Sequence, residues 1–215
     1  MTQIRLGAMQ NPVRGILHGS AALVSAAGLV LLAGAGSSAV PALAALIYGL
    51  ALVALYATSS LYHSVPWRET WKTRLQRLDH TMIYVLVAAT FTPLLVAAVD
   101  GVWVAVGLIG VWGLAFLGLA KEYWLKRGRG LIAVQVSVGS LCLVPMLLTL
   151  SSLDLVTGLL VLVGGMTYLV GVVMLVNDWP RLWPGVFSHH EVFHVLVILA
   201  SIAHFAAVWR VMDGV

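Results

Sequence analysis

Charge is what this sequence has least of. Only 9% of its 215 residues are Asp, Glu, Lys or Arg, while 61% are hydrophobic; soluble domains carry roughly a quarter charged. So few charges cannot cover a globular surface, which excludes a water-soluble domain and leaves lipid as the solvent. Cysteine is nearly absent. The single Cys142 lies in an apolar run, so neither an intrachain disulfide nor a CxxC metal site can form. The net charge is +4, but the basic residues fall in short clusters between apolar runs, which excludes a nucleic-acid surface. No internal repeat, no glycine-rich loop suited to phosphate and no appended soluble domain is visible. The chain therefore reads as a single transmembrane domain over residues 1–215.

Long apolar runs are what the sequence does have. A bilayer core about 30 Å thick needs roughly 20 apolar residues per helix. This predicts an all-α integral membrane protein of seven transmembrane helices, at about 15–33, 39–62, 79–98, 102–120, 131–150, 155–176 and 189–210. The first run, Gly15 to Ala33, follows a basic residue as a secretory signal does. It is longer than the usual roughly 7–15-residue signal core and is expected to be retained as a helix. Pro93 and Pro145 fall inside spans 3 and 5 and predict kinks there. Loops rich in Lys and Arg stay cytoplasmic. Arg5, Arg14, Arg68, Lys72, Arg74, Arg77, Lys121, Lys126, Arg127, Arg129 and Arg181 all fall on one side of a seven-span chain, and only Arg210 on the other. The N-terminus is therefore expected in the cytoplasm and the C-terminus outside.

Ionisable residues within spans are costly and by default mark function. His63 closes span 2; Asp79 and His80 open span 3; His189, His190, Glu191 and His194 open span 7; and His18 lies near the start of span 1. Alternating topology brings all of them to one depth, on the cytoplasmic side, and only His204 lies deeper. His190 and His194 are spaced i,i+4, so they share a helix face with roughly 6 Å of rise between them. Two imidazoles so placed can bind one metal ion. A third nitrogen from His63 would leave a fourth tetrahedral position for water, as catalytic zinc sites require. Asp79 could then orient or deprotonate that water.

Plainer readings stand beside this one. A histidine at a membrane interface is commonly just solvated, and His80 and His189 are read so. His18 and His204 are read as buried hydrogen-bonding residues. His190-Glu191-Val192-Phe193-His194 fits the HExxH pattern in which Glu is a general base. Glu191, however, lies roughly 100° around the helix from His190, which would let it face the headgroups instead. The eight tryptophans lie mostly near span ends, as an interfacial belt would. Gly164-Gly165 suits close helix packing.

Three motifs carry a family likeness: Ser59-Ser60-Leu61-Tyr62-His63; Leu78-Asp79-His80 followed by Phe91-Thr92-Pro93; and His190-Glu191-Val192-Phe193-His194 followed by His204-Phe205. In order, spacing and span placement the chain resembles the haemolysin III family, the bacterial branch of the progestin and adipoQ receptor family, over nearly its whole length. The resemblance implies a zinc ion held by His63, His190 and His194, with Asp79 in contact with the metal-bound water and Ser59 beside it. Human receptors look similar there but have Gln at the position of Glu191. Relatives usually show Asn four residues before the span 1 histidine, where this chain has Arg14.

Related membrane proteins include alkaline ceramidases, so the resemblance implies zinc-dependent cleavage of a lipid amide in the bacterial plasma membrane. Asp79 would be the general base, and Ser59 would bond the water or the oxyanion. The competing expectations are a membrane-state sensor with a structural zinc joining spans 2 and 7, and a pore-forming haemolysin. The expected partner is membrane lipid, with no nucleic acid. Substrate identity and oligomeric state are not legible in the sequence.

Overall fold

The computed structural model describes residues 9–35, 38–124, 149, 152–183 and 185–213. Among them are six helices long and apolar enough to cross a membrane: α1 (Pro12–Gly34), α2 (Ala39–Ser64), α3 (Glu69–Ala98), α4 (Val102–Trp124), α5 (Leu155–Val176) and α6 (His189–Asp213). Lipid offers the backbone no hydrogen-bond partners, so each apolar run closes its own bonds as helix. The chain is an all-α, multi-pass membrane protein. Of the expected span at 131–150 only Thr149 is described, helical and fully buried; Pro145 lies outside the described residues.

Two boundaries differ from the hydropathy reading. Helix α3 begins at Glu69, ten residues before the expected 79, and α4 continues past 120 to Trp124. Hydropathy locates the segment that lipid tolerates, whereas a helix continues while its side chains support it. The first turns of α3 do so with polar contacts: Lys72 lies 3.8 Å from Glu69 one turn back, and Arg74 lies over the Trp71 ring. Helix α3 runs on through Pro93. There the Thr92 hydroxyl donates to the Ala88 carbonyl at 2.9 Å and accepts from the Trp112 indole of α4 at 3.2 Å.

The arrangement is inside-out for a soluble protein. Leu23, Val24, Val30, Ile109 and Leu155 point outward, while Ser59, Thr81, Thr92, Thr157 and Ser201 are buried between helices. Five tryptophans near helix ends (Trp71, Trp103, Trp124, Trp179 and Trp183) are exposed, in keeping with an interfacial belt. Trp112 is an exception, turned inward onto Thr92.

Helix α1 packs on α2, α2 on α3 and α3 on α4, and α6 touches α1, α2, α3 and α5. Its contact with α5 depends on Gly164, where a Cβ would run into the His204 ring and come within 3.1 Å of the Ala200 carbonyl. Among the described residues Gly165 meets nothing, so there only Gly164 of the pair serves packing. His204 bonds the Val161 carbonyl at 3.3 Å, the hydrogen-bonding role expected of it. Tyr56 of α2 donates to Ser201 of α6 at 2.8 Å. Ser60 of α2 donates to the Gly15 carbonyl of α1, and the backbone N–H of Asn11 donates to the His63 carbonyl. These bonds fix the rotation of α2, and so the direction of His63.

Candidate metal centre

At one end of the bundle α2 finishes and α1, α3 and α6 begin. There His63, His190 and His194 each offer a ring nitrogen, and the three atoms lie within 4.8 Å of one another. His190 and His194 come together because they are one helical turn apart on α6, with ring centroids 5.0 Å apart; His63 reaches them from α2 at 5.6 and 4.9 Å. His63 and His194 are 3% and 2% exposed. Their Nδ1 atoms are buried and meet no hydrogen-bond partner. Leaving such groups unpaired costs roughly 1–3 kcal/mol each. Three imidazoles that converge here, two buried and one half-buried, are what a divalent ion of borderline softness satisfies. The residues present could hold a metal ion.

Asp79, on the first membrane turns of α3, places its carboxylate 4.0 Å from His63 Nε2, with a side chain 15% exposed. The buried Ser59, one turn before His63 on α2, lies beside that carboxylate. All five site residues expected from the sequence thus meet at one place.

The neighbours divide differently from expectation. Glu191 neither faces the headgroups nor enters the histidine cluster. It is 6% exposed; one oxygen accepts from Arg14 Nε of α1 at 2.6 Å, and the other accepts from the Ser188 backbone N–H at 2.8 Å. The second contact is half of a capping box at the start of α6. Both oxygens are engaged, so the HExxH match here is a capping and pairing motif rather than a free base. His80 is not simply solvated: its Nδ1 lies 3.6 Å from the buried carboxylate of Glu122 on α4. His189 pairs at 3.4 Å with Asp178 in the loop before α6, with both side chains partly exposed. His18 is buried as expected, but its ring stacks on His194 at 3.9 Å instead of making a hydrogen bond.

Sequence reasoning overlooked two residues. Arg14 is more than a departure from a motif: it is spaced i,i+4 from His18 and ties α1 to the start of α6. Glu122 follows the basic Lys121 at the end of α4. An acidic residue directly at the end of an apolar run was the available signal. Beside the site, a cavity of about 150 Å³ lies between the starts of α1 and α6, lined by Gln10, Asn11, Arg14, Gly185, Ser188 and Glu191 among others.

Comparison with known proteins shows the family. The family described as haemolysin-III related matches residues 7–205. A hemolysin-3 homolog of Bacillus subtilis is 32% identical over 198 residues, covering 90% of each chain. Hemolysin-3 of Bacillus cereus is 28% identical, over 97% of this chain and 94% of its own. The human monocyte to macrophage differentiation factor is 26% identical over 187 residues, covering 76% of this chain and 68% of its own. This chain belongs to the haemolysin III-related family, with a more distant relation to the adipoQ receptor family.

Proposed function

We propose that this protein is a seven-span zinc protein of the bacterial plasma membrane that hydrolyses a lipid amide. The observation that carries the proposal is the meeting of the three-histidine cluster with Asp79, Ser59 beside it, at one end of the bundle. The seventh span is the one at about 131–150. In its favour, α4 ends at the histidine end, where Glu122 meets His80, whereas α5 begins at the opposite end, where Asp154 meets Arg210. One crossing between them restores the alternation. The N-terminus is cytoplasmic and the C-terminus external, which keeps 11 of the 12 Lys and Arg residues on the inner side.

His63, His190 and His194 hold the zinc. When bound, it polarises the scissile carbonyl and lowers the pKa of water toward roughly 7. Asp79 takes the proton of the attacking water as oxygen bonds to the carbonyl carbon, and passes it to the departing amine as the carbon–nitrogen bond breaks. Ser59 donates to Asp79 and fixes which carboxylate oxygen faces the reaction. Its position at the head of the apolar bundle suits a substrate with a polar amide head and hydrocarbon tails lying along the helices.

A second reading has its own support. The carboxylate of Asp79 stands at one ring nitrogen of His63, and metal-bound histidines commonly have a carboxylate at their second nitrogen to orient them. On that reading the zinc is structural, joining α2 to α6 in a sensor of membrane state. Purified protein is expected to carry about one zinc per chain and to turn over a fluorescent long-chain lipid amide. Zinc without turnover of any lipid amide would select the sensor, and absence of zinc would overturn both.

A further inference from the structure

His18 is the one imidazole of the cluster that neither pairs with a carboxylate nor joins the three converging nitrogens. It lies on α1, 4% exposed, with its ring stacked on the His194 ring at 3.9 Å and 20° from parallel, and roughly perpendicular to the Tyr56 ring at 5.0 Å. Among the described residues both ring nitrogens are buried with no partner at hydrogen-bond geometry, although the His194 backbone lies close. The Tyr56 hydroxyl is already committed to Ser201. A neutral imidazole has one N–H and one lone pair, both lying in the ring plane. The stacked His194 face can satisfy neither. Burying both unmet is costly, and a phenylalanine would fill the same slot without that cost. Because the two rings are near parallel, the His18 ring lies in a layer directly beside that of His194, one of the three converging histidines.

We infer that His18 donates a hydrogen bond to the acceptor atom, a carbonyl or anionic oxygen, that occupies the position beside the three histidines. This rests on the metal reading above and adds a substrate-contacting donor from α1. It also gives the first helix a part in the site, alongside α2, α3 and α6.

The test uses the full-length protein in detergent, loaded with cobalt(II), and azide as the probe anion, followed by the visible spectrum. His18→Phe is expected to retain the cobalt and to bind azide about tenfold more weakly or worse, the range for a hydrogen bond to a charged acceptor. His18→Asn and His18→Gln place an amide N–H near the Nδ1 and Nε2 positions, and one of the two is expected to keep wild-type azide affinity. Unchanged affinity in His18→Phe overturns the inference, as does weakened affinity in both amide variants if the phenylalanine variant does not fold. Loss of cobalt from a folded His18→Phe also overturns it, by making His18 a ligand. Failure of the wild type itself to take up cobalt would defeat the metal reading and this inference together, whereas a failure confined to the variants strikes the inference alone.

Discussion

Helix α6 carries an arginine–carboxylate pair to another helix at each end. At its start Glu191 meets Arg14 of α1 at 2.6 Å, with side chains 8% and 23% exposed. At its finish Arg210 meets Asp154, before α5, at 3.3 Å, with side chains 29% and 48% exposed. Both carboxylates also cap helices. Glu191 accepts from the Ser188 N–H, while Asp154 accepts from the Val156 and Thr157 N–H groups and from the Thr157 hydroxyl. The chemistry is the same and the setting differs. Water and salt screen the Asp154 pair. Glu191 and Arg14 lie one residue and one helical turn from His190 and His18, where an unpaired charge would be both expensive and close to the histidine cluster. One end of the helix is therefore an assembled site and the other a fastening.

The two ends should first prove to lie on opposite sides of the membrane. A reporter fused after Val215 is expected to read external, and one inserted between Lys126 and Gly130 cytoplasmic. Reporters reading on the same side would remove the seventh span and the orientation with it. Metal content comes next. His190→Ala or His194→Ala should lose most of the zinc, whereas Arg210→Ala, at the other end of the same helix, should keep it; full occupancy with His63, His190 and His194 all replaced by Ala would end the metal proposal.

Within the histidine end, the two acidic residues should separate cleanly. Asp79→Asn is expected to keep the zinc and lose at least roughly 100-fold in turnover, the lower range for a removed general base. Glu191→Gln should keep zinc and most turnover, because both oxygens of Glu191 are spent on Arg14 and Ser188. The reverse pattern in steady-state kinetics would restore the HExxH reading.

Stability should rank the pairs as burial does. Glu191→Ala leaves Arg14 partly buried and unpaired, so its loss should approach the roughly 3–5 kcal/mol of a broken buried pair, reduced by the partial exposure of Arg14. Asp154→Ala should cost clearly less. Equal shifts in thermal midpoint in the same detergent would show that burial is not what distinguishes the two. The smallest effect concerns acid. Hydrogen bonds from the Thr157 side chain and backbone, then the nearby Arg210, hold the Asp154 carboxyl below its ordinary range. A depressed carboxylate contributes its stabilisation fully above the ordinary value, near pH 4, and loses it as pH falls through the folded value. Val156 and Thr157 amides should therefore lose hydrogen-exchange protection, corrected for intrinsic rate, only as pH falls below about 4; in Asp154→Ala that pH dependence should vanish.

Much of the site was legible because it rests on local spacing and on depth. The i,i+4 relation of His190 and His194 holds on any helix, and counting spans brings His63 and Asp79 to the same end. The Arg14–Glu191 and His80–Glu122 pairs were not legible. Their partners are 177 and 42 residues apart, on helices whose mutual rotation no sequence period reveals. The start of α3 at Glu69 was missed for a different reason: seven of its first ten residues are polar, and hydropathy is blind to a helix once it leaves lipid.

The sequence by itself determined that lipid is the solvent, that the backbone must close into membrane-length helices, and that a histidine set with Asp79 would share one end of the bundle. These follow from composition and from connectivity, which assign each residue a depth. Only the tertiary structure decided azimuth, the angle at which each helix turns about its own axis. Apolar faces are nearly uniform around these helices, so lipid cannot choose that angle. Packing at Gly164 and the buried bonds of Tyr56, Ser60 and Arg14 choose it instead. That choice turns Glu191 toward Arg14 and His194 toward His63.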